Sequence, residues 1–119
     1  MEFNLAPIVL FTPQKELLCN FLAELLDMDV IPAGDDILLS HELLKLRLVE
    51  KKMNKKLLQK SRIDFNLGSR EELDQVLEKI EFLNYRNSTH CKSNLNNNND
   101  TVIVVDPDGR EWQFGLSAH

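Results

Sequence analysis

The order of elements in this chain repeats itself, and that repetition constrains the fold more than any single residue does. Residues Phe3–Phe11, FNLAPIVLF, form a short apolar run closed by Thr12, Pro13 and Gln14, which suits a buried strand. Thr12 is placed to cap a helix, and Pro13 suits the first helical position, where no amide donor is needed. Leu17, Leu18, Phe21, Leu22, Leu25 and Leu26 then fall at helical spacing on one stripe. A short strand with turn signals follows in DMDVIPAGDD. ILLSHELLKLRLVE supplies two more strands, Ile37–Ser40 and Leu44–Glu50, with a turn near His41 and Glu42.

Residues Lys51–Lys60 carry no apolar period and read as a linker. The pattern then restarts. Arg62–Leu67, RIDFNL, alternates polar and apolar residues as a half-buried strand does. Ser69 and Glu72 form a capping box, and Leu73, Val76, Leu77 and Ile80 make a second helical stripe. A weak strand is expected at Phe82–Asn87, followed by an Asn-rich loop over Asn94–Asp100. TVIVVD, a tight turn and REWQFGL complete the chain. The expected order is βαβββ, linker, βαβββ. This is an α+β chain of one domain, with modules over about 3–50 and 62–116 and a linker over about 51–61. Each sheet carries a helix on one face, so the other must cover a cavity, a ligand or a partner chain.

Composition narrows the function classes. The chain of 119 residues has a formal net charge of −5, which argues against a general nucleic-acid grip. No apolar run approaches the ~20 residues of a membrane-spanning helix. The start, MEFNLAPIVLF, lacks the basic region of a signal peptide. Cys19 and Cys91 show neither metal-ligand spacing nor a disulfide framework, so they are expected as free thiols in a reducing cytoplasm. The five lysines between Lys51 and Lys60 have no interleaved aromatics for base stacking and read as a solvated run. His41, His90 and His119 are isolated, and nothing in their spacing makes a triad or a metal site.

Paired βαβββ modules ending in Asp106-Pro107-Asp108-Gly109, with Trp112 and Phe114 following, resemble the glyoxalase/bleomycin-resistance/dioxygenase superfamily, the vicinal oxygen chelate proteins. FLAELLDMDV, Phe21–Val30, resembles the segment closing the first helix of that family, with Asp27 where glycine is usual. RIDFNL resembles the strand opening its second module. The resemblance spans the chain and implies curved mixed sheets and a homodimer, with the apolar first strand Leu5–Phe11 at the interface. It also implies four metal-ligand positions, usually His, Gln or Glu, one on each of four strands. These fall on Pro7, Arg47, Arg62 and Gln113. Only Gln113 keeps a possible ligand, and two arginines bring positive charge where a cation would sit. No metal and no other cofactor is therefore expected.

Strand alternation assigns the faces. Arg62, Asp64 and Asn66 should lie on the side away from the helix, as should Glu111, Gln113 and Gly115. In the first module Lys45, Arg47 and Val49 should do the same, with Leu5, Pro7, Val9 and Phe11 as an apolar wall. The candidate ligand-binding residues are Arg47, Arg62, Asp64, Glu111 and Gln113. The two arginines suit bidentate grip on an organic anion. The competing expectation is internal pairing, with Arg62 neutralised by Asp64 or Glu111. Two function classes stay open. One is a metal-free protein that binds or sequesters a small molecule. The other is a metal-dependent lyase, isomerase or dioxygenase with altered ligands.

Overall fold

Alternation of buried and exposed side chains along the strands builds two separate sheets, each backed by a helix. The computed structural model describes residues 1–87, 93–95 and 100–116. The chain divides into two compact units, Met1–Met53 and Asn54–His119. The first holds β1 (Ile8–Thr12), α1 (Lys15–Leu25), β2 (Asp29–Ala33), β3 (Asp36–His41) and β4 (Leu44–Glu50). The second holds α2 (Lys55–Leu58), β5 (Arg62–Leu67), α3 (Arg70–Asn87), β6 (Ser93–Leu95), β7 (Thr101–Val105) and β8 (Glu111–Leu116). Strand orders are β1-β4-β3-β2 and β5-β8-β7-β6. In each sheet the first and last strands of the module pair in parallel and the rest are antiparallel. The fold class is α+β, and the repeat expected from the sequence is present in both units.

In the first unit, Leu10, Leu39, Leu46 and Leu48 are buried on the face toward α1, as are Leu18, Phe21, Leu22 and Leu25 on the helix. Burying each such side chain stabilises the fold by roughly 1.5–3 kcal/mol. In the second unit Val102, Val104, Trp112 and Phe114 form the buried sheet face, and α3 contributes Leu73, Ile80 and Leu83. Phe65 stacks on both Trp112 and Phe114, with centroid distances of 6.1 and 5.4 Å.

The turn between β7 and β8 is organised by one buried carboxylate. Asp106 Oδ1 accepts the amide N–H groups of Asp108 at 2.8 Å and Arg110 at 3.0 Å. Its Oδ2 accepts Arg110 Nη1 and Trp112 Nε1, both at 2.9 Å. Burial pushes the Asp106 carboxyl above the ordinary range, while the Trp112 hydrogen bond and the Arg110 charge pull against it. The Asp-Pro-Asp-Gly stretch and Trp112 are thus one structural assembly.

Several boundaries differ from expectation. β1 starts at Ile8, not Phe3, and Phe3 and Leu5 are exposed. Pro7 has no amide to give a ladder, and β4 begins only two residues before Leu46, the partner of Ile8. Thr12 is the last residue of β1 and not a helix cap: its carbonyl accepts Lys51 N–H at 2.9 Å and its hydroxyl accepts Gln14 N–H at 3.1 Å. Gln14 takes the cap position, and α1 begins at Lys15. The segment after β4 contains α2, where the Asn54 side chain accepts Lys56 N–H at 3.0 Å and Leu58 is buried. The expected strand at Phe82–Asn87 is the end of α3, because Leu83 continues the apolar stripe of Leu73 and Ile80. The second strand of that module is Ser93–Leu95, partly inside the stretch expected as a loop. Its pairing with Val102–Val104 overrides weak local propensity. No helix among the described residues is long and apolar enough to cross a membrane.

Candidate functional site

The face of the second sheet turned away from α3 is set by the β5–β8–β7 register. Arg62 lies beside Glu111, Asp64 beside Gln113 and Asn66 beside Gly115. On the other side of β8, Val105, Ile103 and Thr101 complete the same three rows. Four of the five residues expected at the site, Arg62, Asp64, Glu111 and Gln113, therefore share one surface. The fifth, Arg47, lies on β4 of the first unit, between Val9 and Leu38 in its row.

Both arginines are engaged by carboxylates of their own unit. Arg62 Nε is 2.9 Å from Asp64 Oδ1, with both side chains about half exposed. Residues two apart on a strand point the same way, about 6.6 Å from each other along it, which long side chains span. Arg47 Nε donates to Asp36 Oδ2 at 3.0 Å. Asp36 is a residue the sequence argument missed. It heads β3 one position before Ile37, which pairs with Leu48, so only the hairpin register brings it beside Arg47. Val9 and Phe11 of the expected apolar wall are on β1, whereas Leu5 and Pro7 precede it. The Lys51 ammonium sits 5.3 Å from the centre of the Phe11 ring, a cation–π contact. His41 Nδ1 lies 3.1 Å from the backbone oxygen of Asp27. His90, Cys91 and His119 lie outside the described residues.

No family model matches the chain, and no curated protein does either. Solved structures do. A fosfomycin resistance protein from Mesorhizobium loti superposes with a TM-score of 0.78 at 11% identity, over 99% of this chain and 94% of that one. A fosfomycin resistance protein from Listeria monocytogenes, solved with Mn(II) and 1S,2S-dihydroxypropylphosphonic acid, gives 0.74 at 17% identity, over 99% and 95%. A lactoylglutathione lyase from Agrobacterium tumefaciens gives 0.67 at 13%, over 95% and 92%. This chain has the vicinal oxygen chelate fold. At these identities the likeness establishes the fold and leaves the chemistry to the residues.

At the four positions that the family resemblance assigns to a metal, the donor set does not fit a cation. Pro7 has no side-chain donor. Arg47 and Arg62 are cations already paired with Asp36 and Asp64. Gln113 offers one neutral amide, where a catalytic metal needs about three protein ligands. Among the described residues no three His, Cys, Asp or Glu side chains come together as a metal-binding group.

Proposed function

We propose that this protein binds or sequesters a small organic molecule without a metal, on sheet faces that carry Arg47, Arg62, Asp64, Glu111 and Gln113. The observation that supports this most is the fate of the two arginines. Each stands at a usual ligand position and is held by a carboxylate of its own unit, so the chemistry there is ion pairing and hydrogen bonding. An anionic ligand would reach either guanidinium by exchanging with that carboxylate. The protein acts in the cytoplasm as a homodimer under this proposal, with no nucleic-acid or membrane partner.

Metal analysis of the purified protein, paired with melting-temperature screens of small metabolites in excess chelator, tests it. The expected outcome is no stoichiometric Mn, Ni, Zn or Fe, and ligand-induced shifts that survive chelation and weaken in Arg62→Ala. Stoichiometric metal lost in Gln113→Ala would favour a metal-dependent lyase, isomerase or dioxygenase instead.

A further inference from the structure

A homodimer, the part of the proposed reading on which this inference rests, needs a contact surface, and the residues before β1 offer one. Met1–Pro7 carries an apolar side chain at every odd position: Met1, Phe3, Leu5 and Pro7. The odd register continues through Val9 and Phe11 of β1, on the face turned away from α1, while Leu10 and Thr12 are buried on the other. Strict alternation of this kind is the pattern of a strand with one covered face. Met1–Pro7 nevertheless has no secondary structure. Phe3 is 89% exposed and Leu5 82%. The reason is the length of the neighbouring strand. Ile8 pairs with Leu46, and β4 reaches only to Leu44, so Met1–Leu5 runs past the end of its own sheet. The segment has the spelling of a strand, large apolar side chains in water and no ladder.

Other edges among the described strands suit it less. β2, the far edge of the first sheet, carries Pro32, which has no amide to donate. In the second sheet the edge strand β6 has three residues. The opposite edge, β5, sets Arg62 and Asp64 on the face away from its helix, where this segment carries apolar side chains only. A second copy of the same segment matches in length and alternation. Antiparallel pairing about Asn4 lays Phe3 opposite the partner's Leu5 on one face. It also sets Glu2 opposite the partner's Ala6, which keeps the two Glu2 carboxylates apart. Met1, Phe3 and Leu5 of two copies make six large side chains, which at about 150–200 Å² each reach the ~1,000 Å² that a specific interface buries.

We infer that two copies of this chain dimerise by antiparallel pairing of their Met1–Ala6 segments across a two-fold axis at Asn4. The contact is isologous, so it closes at two copies and does not propagate.

Analytical ultracentrifugation of the full chain over a range of concentrations tests this, together with cysteine cross-linking. The native chain is expected to be a dimer. The double variant Phe3→Asp/Leu5→Asp sets like charges opposite each other and is expected to raise the dimer dissociation constant at least about a hundredfold. Both native side chains are exposed, so its far-UV circular dichroism should match that of the native chain. In a Cys91→Ser background, with Cys19 buried, Asn4→Cys is expected to form an intersubunit disulfide under mild oxidation. Opposite residues of an antiparallel pair lie about 4.5–5.5 Å apart at Cα, within disulfide reach. Ala6→Cys, about 13 Å from its counterpart along the strands, should not cross-link. A dimer that survives the double variant, or cross-linking of Ala6→Cys as readily as Asn4→Cys, overturns the inference and leaves the homodimer to another surface. An Asn4→Cys chain that does not cross-link does the same. A native chain that stays monomeric at every concentration removes both the pairing and the homodimer, while the melting-temperature screens still decide small-molecule binding.

Discussion

The Arg110 guanidinium lies 2.9 Å from the Asp106 carboxylate, with side-chain exposures of 3% and 0%. A pair so far from solvent is costly to form and more costly to break, because removing one partner strands the other's charge in the interior. Asp106 also fixes two amides and the indole N–H of Trp112. Asp106→Asn keeps the shape but turns one acceptor into a donor facing donors. It is expected to lower stability by about 3–5 kcal/mol, read as a lower urea midpoint. Arg110→Met should also destabilise, and the double variant should lose less than the two single losses combined.

The backbone at the end of α1 makes a second prediction. Asp27 has φ 55°, and Met28 N–H reaches back to the Ala23 carbonyl at 3.0 Å, the closing bond of a Schellman turn. Glycine adopts this left-handed conformation without steric cost, whereas aspartate only tolerates it. Asp27→Gly is expected to stabilise the protein by roughly 0.5–1 kcal/mol and raise its melting temperature by a few degrees. The His41 contact to the Asp27 backbone oxygen does not depend on the side chain, so it survives the change.

The sequence carried this much because strand alternation is a local property. RIDFNL, LKLRLVE and EWQFGL show the faces their spelling implies, with Leu46, Leu48, Trp112 and Phe114 buried and Lys45, Arg62 and Asp64 exposed. What was hidden depends on partners distant in sequence. Ser93–Leu95 is a strand only because β7 pairs with it, and no propensity in an Asn-rich stretch announces that. Asp36 reaches Arg47 across a hairpin, and Asp106 gathers Arg110 and Trp112 around a turn whose residues signal only chain reversal. At the candidate site the Arg62–Asp64 pair was legible from spacing, since residues two apart on a strand share a face.

Cys19 offers a reporter of unfolding. It is 3% exposed within α1, and burial pushes its thiol up, with the nearby Glu16 charge adding to the shift. The thiolate is the reactive form, so native Cys19 should label slowly at neutral pH. In a Cys91→Ser background, labelling by an aromatic disulfide is expected to follow global opening and to accelerate sharply through the urea transition. The sign of the pH effect follows from the raised value. The thiol's stabilising contribution is complete below the unfolded cysteine value of about 8.5, and it is lost as pH rises through the folded value. Cys19→Ala should flatten that alkaline decline. A native-state labelling rate equal to that of a free thiol would rule out this burial.

Gly109 closes the β7–β8 turn with its N–H on the Asp106 carbonyl at 3.0 Å, and its φ is 89°. Two separate costs oppose a side chain there. Left-handed backbone disfavours any Cβ by about 1–2 kcal/mol, and a Cβ at this position would come within 2.6 Å of Gln59 Cγ. The second cost is the more easily relieved, because Gln59 is an exposed, flexible side chain. Gly109→Ala is therefore expected to destabilise the protein by about 2 kcal/mol or more. Adding Gln59→Ala should return part of that loss and leave the backbone term of about 1–2 kcal/mol in place. Urea titration of the two single variants and the double variant separates the terms. Full recovery in the double variant would mean that the clash accounts for the whole effect, and no recovery would mean that Gln59 swings aside at no cost.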